Sequence, residues 1–154
     1  MQPLVALALT LAAGASAAAP SQVVGTLAAP QQAVAGNGGP ASPLVVRLYE
    51  LSGASLFNRA DFMALWQHDR AELGGDLVAR EEFVLGPGEG KTFARTLAPA
   101  TRFLGVVAAQ GEPQQARWRS MVSVQPGQSI RLNLRGGVLA VESGVPGSPS
   151  RPSP

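Results

Sequence analysis

The feature that most constrains the fold is a series of short segments in which apolar and polar residues alternate. A period of two puts every second side chain on one face, as in a strand with one face in a core. The segments run over residues 80–85, 92–97, 103–109, 118–124, 130–134 and 138–141, separated by breaks that contain glycine or proline. Strands at such even spacing predict a mainly β protein, an antiparallel β-sandwich. The nearly continuous apolar run over residues 103–109 predicts a central strand covered on both faces.

Two periods meet in the stretch from Ser42 to Leu77. Residues 44–49 alternate as a strand, and after a Ser-Gly turn the apolar residues recur at helical spacing. These helical positions are Phe62, Leu65, Trp66 and Leu73. Asn58 is the expected N-cap of the helix, with Asp61 in its first turn. The stretch therefore predicts a strand followed by a short amphipathic helix, which packs on a sheet or closes the end of the sandwich.

Length and charge limit the classes of function. At 154 residues the chain has room for one domain with a core. The net charge is +2, and no cluster of Lys and Arg with interleaved aromatic residues occurs, which argues against nucleic-acid binding. The absence of cysteine excludes disulfides, thiolate zinc sites and a cysteine nucleophile in this sequence.

The two ends of the chain differ in composition from the middle. The apolar run from Leu4 to Ala19 ends in small residues, and Ala15-Ser16-Ala17 is an acceptable signal-peptidase site. We therefore expect a signal peptide over 1–17, a domain over 18–143 and a disordered tail rich in Pro and Ser over 144–154.

Candidate catalytic and ligand sites are weak. The segment 86–92 resembles a phosphate-binding loop, but its spacing is one residue short and a strand follows, so a hairpin turn is favoured. His68 is the only histidine. Asp69, Glu72 and Asp76 lie near it in sequence and leave a weak cation site open, although an exposed polar helix end fits better. We expect no enzyme activity, no metal and no cofactor.

Charged residues on the predicted strands suggest surfaces. Glu81 and Glu82 are adjacent and point to opposite faces of a strand, which argues against an acid/base pair. Arg117, Arg119, Arg131 and Arg135 would line one polar face if their two strands pair. Such a face could meet acidic lipid headgroups or an acidic partner, or could simply be solvated.

An ordered set of motifs resembles one protein family. It comprises V-V-R-L-Y-E-L at 45–51, Phe57, A-D-F-x-x-L at 60–65, L-G-x-D-L at 73–77, the later P-G at 87–88, F-L-G-V-V-A at 103–108 and W-R at 118–119. This order is similar to that of TssJ, the outer-membrane lipoprotein family of bacterial type VI secretion systems. The resemblance covers roughly residues 23–141. It implies a transthyretin-like sandwich with a helical segment added after the second strand.

The resemblance also implies a partner and a location. In the TssJ family, the connection between the first two strands binds the periplasmic region of TssM, an inner-membrane protein. Asn37, Gly38, Gly39 and Pro40 occupy that position here, after a first strand expected over 23–34. We therefore expect a structural component of the secretion envelope complex in the periplasm, at the inner face of the outer membrane. An ordinary connection at 36–42 is the alternative.

The chain departs from the family at the lipidation site. The family carries a cysteine in an L-A-x-C lipobox, whereas Leu11-Ala12-Ala13 is followed here by Gly14. Without a sulfur, lipidation by that route cannot occur at this position. The resemblance then implies a soluble periplasmic variant, anchoring through partners, or a different N-terminus.

A different class of function stays open, a secreted β-sandwich module that binds carbohydrate or cell wall. Such modules present exposed aromatic rings, and this chain offers Trp66, Trp118 and Tyr49. Both tryptophans fit core positions, so exposure of Trp118 would favour the ligand-binding module.

Overall fold

The fold is a β-sandwich, as the alternating segments predict. The computed structural model describes residues 19–30, 42–110, 117–135 and 138–144. Within these ranges eight strands form two four-stranded sheets. The strands are β1 (Gln22–Ala28), β2 (Leu44–Leu51), β3 (Leu77–Leu85), β4 (Gly90–Thr96), β5 (Phe103–Gln110), β6 (Arg117–Ser123), β7 (Ser129–Arg135) and β8 (Val138–Gly144). The first sheet has the order β4-β1-β7-β8 and the second has the order β3-β2-β5-β6.

Strand pairing is antiparallel throughout the described sheets except between β1 and β7. These two strands run parallel, in a register that aligns Gln22 with Ser129 and Ala28 with Arg135. Parallel neighbours need a long crossover, and here the chain between them passes through the whole second sheet. Antiparallel pairs therefore dominate the sandwich, and the first sheet contains one parallel pair, β1 and β7.

The inner faces of both sheets build one apolar core. Val23 and Leu27 from β1 and Ile130, Leu132 and Leu134 from β7 meet the inner face of the second sheet. Strand β5 is buried on both faces, because Leu104, Val106 and Ala108 face this core while Val107 faces the helices. The prediction of a central strand over residues 103–109 is confirmed.

Two short helices pack on the outer face of the second sheet. They are α1 (Ser55–Arg59) and α2 (Phe62–Leu73), followed by a 3-10 turn over Gly74–Asp76. A second apolar cluster joins helices and sheet, and its fully buried members include Tyr49, Leu51, Phe57, Leu65, Leu73 and Val107. The expected packing of a helix on a sheet is confirmed.

The start of the helix differs from the prediction. Asp61 is the N-cap of α2, because its carboxylate accepts hydrogen bonds from the backbone N–H groups of Met63 (3.0 Å) and Ala64 (3.3 Å). Asn58 lies inside α1, so its assignment as N-cap is wrong. The physical reason is that Ala60 and Asp61 adopt extended backbone angles and divide the segment into two helices. Helix α2 also has a break at His68, where φ is −136° and ψ is 44°.

The described part of the first strand is shorter than expected. Strand β1 ends at Ala28 rather than Val34, and Ala29 instead donates a backbone hydrogen bond to Glu89 of the β3–β4 turn (2.9 Å). Strand β8 continues to Gly144, three residues beyond the predicted end at Val141. The expected signal peptide and most of the expected tail lie outside the described residues.

Candidate functional site

The candidate site is the end of the sandwich from which the β1–β2 connection leaves. Ala28 is aligned with Gly90 on β4, and Leu44 is aligned with Leu85 on β3 and Gln110 on β5. Leu85 and Gly90 are joined by the short β3–β4 turn, so both lie at one end of the sandwich. The last residue of β1 and the first residue of β2 therefore lie at the same end, in different sheets. The β1–β2 connection therefore leaves the first sheet and enters the second sheet at this end.

Hydrogen bonds fix the base of the connection. The backbone N–H of Gly88 donates to the carbonyl of Pro30 (3.1 Å), and Nε2 of Gln110 lies 3.5 Å from the carbonyl of Ser42. The carboxylate of Glu89 accepts from the N–H of Gly86 at 2.7 Å and tightens the β3–β4 turn, in which Gly88 has a φ of 71°. The two points where the connection begins and ends are thus held by the β3–β4 turn and by the last residue of β5.

The residues predicted to bind a partner, Asn37, Gly38, Gly39 and Pro40, lie outside the described residues. Gly14, at the position of the lipobox cysteine, also lies outside them. The predicted turn after β3 and the strand that follows it are confirmed, since β4 rather than a helix comes next. The hairpin is wrong, because β3 and β4 lie in different sheets and do not pair, so the turn joins the two sheets. A phosphate site would need a helix N-terminus at that point.

A polar cluster that the sequence did not predict lies between α2 and the second sheet. Asp69 is 6% exposed, and its Oδ2 lies 3.1 Å from Nη1 of Arg80 and 3.7 Å from Nη1 of Arg47. The hydroxyl of Tyr49 donates to the same oxygen at 3.1 Å. Glu82 completes the cluster by accepting from Nε of Arg47 at 2.7 Å. We call these five residues the Asp69 cluster.

The electrostatics of the Asp69 cluster follow from burial and pairing. Burial raises the pKa of the Tyr49 hydroxyl to about 12, since the phenolate would lose its hydration beside the Asp69 carboxylate. The hydrogen bond from Arg47 lowers the pKa of Glu82. Burial opposes the charged form of Arg47, but its bonds to Glu82 and Tyr49 outweigh burial, so its pKa lies above the ordinary value. The two carboxylates therefore balance the two guanidinium groups.

The same cluster orients Trp66. The guanidinium of Arg47 lies over the indole ring at 4.0 Å from its centroid and donates to the carbonyl of Trp66 at 2.6 Å. Trp66 is half-buried against the helical cluster. Its ring is thus occupied on one face by Arg47 and stacks on Phe62 at 5.8 Å. The side chain of Trp118 is not among those described, so the test of a carbohydrate-binding module stays a prediction.

A second buried carboxylate joins the two sheets. Glu50 on β2 is 2% exposed and pairs with Nη2 of Arg95 on β4 at 3.0 Å. It also accepts from the N–H of Ala98 and the hydroxyl of Thr101, both at 2.8 Å. Among the described residues, no buried side-chain nitrogen or oxygen lacks a hydrogen-bond partner. The buried carboxylate oxygens of Glu50 and Asp69 are therefore paired within the fold.

The four arginines do not form one face, and this prediction is wrong. Strands β6 and β7 belong to different sheets, so Arg117 and Arg119 are separated from Arg131 and Arg135. Arg119 donates to the carbonyls of Phe57 and Ala60, at the end of α1. Arg131 lies on the open face of the first sheet and pairs with Glu142 at 3.5 Å.

Glu81 and Glu82 point to opposite faces, as expected. Glu81 pairs with Arg95 at 2.8 Å on the inner side, and Glu82 joins the Asp69 cluster on the outer side. His68 is exposed. In the part of the chain that the structure describes, no group of three or more His, Asp or Glu residues could hold a metal ion. Among those same residues, no helix combines the length and the hydropathy of a membrane span.

Comparisons with known proteins agree with this architecture. A family model described as type VI secretion lipoprotein (VasD, EvfM, TssJ) matches residues 21–137. The type VI lipoprotein TssJ1 from Pseudomonas aeruginosa is 36% identical, with 88% of this chain and 99% of that chain covered and a TM-score of 0.68. No curated protein matches the chain.

Two further solved structures contain similar chains. A chain of a structure described as the type VI membrane complex is 27% identical, with coverage of 79% and 97% and a TM-score of 0.61. A chain of a structure described as the TssM C-terminal domain from EAEC is 25% identical, with the same coverage and a TM-score of 0.58. The chain therefore belongs to the TssJ family of type VI secretion lipoproteins, structural components of that secretion system.

Proposed function

We propose that this protein is a periplasmic component of the type VI secretion envelope complex, at the inner face of the outer membrane. It docks on the periplasmic region of TssM through the β1–β2 connection, with Asn37, Gly38, Gly39 and Pro40 as contact residues. Family membership supports the proposal, as do similar chains in structures described as the type VI membrane complex and as the TssM C-terminal domain. The mechanism is binding, without a chemical step.

One geometric observation carries the proposal. The described chain begins at the end of the sandwich opposite to the β1–β2 connection, where Ser21 donates to the carbonyl of Gln125 (2.9 Å) and Gln22 bonds Gln128 (2.9 Å). Strand β1 separates the two ends by roughly 20 Å, at about 3.3 Å per residue. A protein held at the outer membrane from its N-terminal side would present the β1–β2 connection away from that membrane, toward a partner that rises from the inner membrane.

The local chemistry of the connection limits how it binds. Its base is held by the bonds of Pro30 and Ser42, but residues 36–39 include three glycines, whose ordering on docking costs conformational entropy. Affinity should therefore depend on a few anchors. Pro40 is the expected anchor, because its ring fixes one backbone angle before binding.

The test is binding of the purified protein to the periplasmic region of TssM from the same genome, measured by calorimetry. A second sample has residues 36–42 replaced by a minimal turn, and a third carries Pro40→Ala. We expect saturable micromolar or tighter binding by the intact protein, loss of binding with the minimal turn, and weaker binding with Pro40→Ala.

A matched control is Pro126→Ala, an exposed proline in the turn between β6 and β7 at the opposite end. This variant should bind like the intact protein. No binding by the folded intact protein would disprove the docking role. Equal loss of binding in the Pro126 variant would move the interface away from the β1–β2 connection.

A further inference from the structure

Strand β3 is the longest strand in the described residues and lies at an edge of the second sheet. It pairs with β2 along one side, and no described strand pairs with the other side. The unpaired backbone N–H and C=O groups of such an edge are a template for another strand. A cavity of about 620 Å³ is lined by Arg70 and Gly74 at the end of α2 and by residues of β3 that include Val78.

The sequence of β3 is complementary to itself when two copies run antiparallel. With the two-fold axis at Glu81, Arg80 of one copy lies opposite Glu82 of the other, and Ala79 lies opposite Phe83. Residues directly opposite in an antiparallel pair share a face, so the opposite charges of Arg80 and Glu82 meet on the outer face. Val84, which is 55% exposed, lies directly opposite Val78 of the second copy.

We propose that two copies of this protein pair edge to edge through β3 in this register and form a continuous sheet across the two-fold axis. The side chains of Arg80 and Glu82 are 30% and 37% exposed, so both reach solvent despite their bonds within the Asp69 cluster. A guanidinium has five N–H donors and can add an acceptor from a second copy. The interaction is distinct from docking on TssM, because β3 is not part of the β1–β2 connection.

Two features make the pair weak and reversible. Glu81 lies opposite Glu81 of the second copy, and like charges directly opposite each other are destabilising. Arg95 lies 2.8 Å from Glu81 of its own chain and reduces the repulsion only in part, because the same guanidinium also pairs with Glu50. The register shift near Glu50 and Leu51 ends the regular part of β3 at Ala79, so the paired region is short. Self-association should therefore be populated when copies are held close together, as on a membrane.

The absence of cysteine from the sequence allows a register-specific test. In Glu81→Cys, the two cysteines of a pair lie directly opposite, with Cα atoms about 4.5–5.5 Å apart, within the range of a disulfide. In the control Val84→Cys, the cysteine is more exposed, but its symmetry mate lies about 20 Å away along the strand. Full-length proteins are oxidised at high concentration, and covalent dimer is followed by gel and mass spectrometry.

We expect fast dimer formation by the Glu81 variant and slow formation by the Val84 variant. Equal rates would overturn the proposal, since random collisions favour the more exposed cysteine. Both variants should keep the far-ultraviolet circular dichroism of the parent, because Arg95 retains its buried partner Glu50 at 3.0 Å.

A charge swap tests the Arg80–Glu82 contact. In the Glu81→Cys background, Arg80→Glu alone and Glu82→Arg alone should each form less homodimer, because like charges then face each other across the axis. Mixing the two variants restores both opposite-charge contacts, and the heterodimer should be the main product. A statistical mixture of the three dimers would contradict the proposed register.

Discussion

The hydroxyl of Tyr49 on β2 donates a hydrogen bond to Oδ2 of Asp69 on α2 at 3.1 Å, across the interface between sheet and helix. Tyr49 is fully buried, and Asp69 is held at the same oxygen by Arg80 at 3.1 Å. This bond ties the helical segment to the second sheet by polar contacts as well as by apolar packing. It makes the position of α2 sensitive to a single carboxylate.

Asp69→Asn should destabilise the protein by about 2 kcal/mol, because two guanidinium groups and a phenol lose a charged acceptor in a buried site. Urea unfolding measures the change. The matched control is Gln67→Glu on the same helix, an exposed side chain whose isosteric replacement should change the free energy of unfolding very little. Equal effects of the two substitutions would show that the Asp69 cluster contributes no specific stability.

The only tyrosine of the chain should ionise late. Burial raises the pKa of Tyr49 from 10.0 to about 12, so the folded state keeps its proton where the unfolded state loses it. The contribution to stability is complete below pH 10 and is lost as the pH rises toward 12, up to about 3 kcal/mol in total. Tyrosinate absorbance should have its midpoint near 12 in native protein and near 10 in urea. A midpoint near 10 in native protein would contradict the buried hydrogen bond. The Tyr49→Phe variant has no tyrosine and supplies the background absorbance.

Asp61→Ala should cost about 1 kcal/mol, because the first turn of α2 loses the acceptor for two backbone N–H groups. Asn58→Ala is the control, since Asn58 is exposed inside α1 and makes no cap. Thermal unfolding of the two variants shows whether Asp61 or Asn58 is the N-cap of α2. A larger loss from Asn58→Ala would restore Asn58 as the cap.

Gly105→Ala should destabilise the protein by about 1–3 kcal/mol through overpacking. A Cβ on Gly105 of β5 would lie 2.7 Å from the ring of Phe57, a residue of α1 that packs on this strand. Gly75→Ala is the control, because a Cβ at Gly75 meets no atom within 4 Å. Similar unfolding midpoints for both variants would show that α1 can move away from β5.

Much of the architecture could be predicted from periodicity. Alternation over residues 130–134 predicts a strand with Ile130, Leu132 and Leu134 inward, and the structure buries all three. The helical spacing of Leu65 and Leu73 predicts which face of α2 packs on the sheet. The order of the motifs indicates the TssJ family, which the family match over residues 21–137 confirms. Such signals are local, because each depends on residues a few positions apart.

The arrangement of distant residues was decided by the tertiary structure. The sequence predicts Asp69 at an exposed polar helix end, whereas the structure buries it beside Arg47 of β2 and Arg80 of β3, next to the break at His68. Arg119 and Arg131 both lie in segments where polar and apolar residues alternate. They nevertheless lie in different sheets, because β7 pairs with β1 rather than with β6. The sequence by itself determined which segments are strands and which side chains seek the core, since backbone period and apolar burial are local properties. Strand order and the partners of buried charges depend on contacts between residues far apart in the chain, and only the folded structure brings those together.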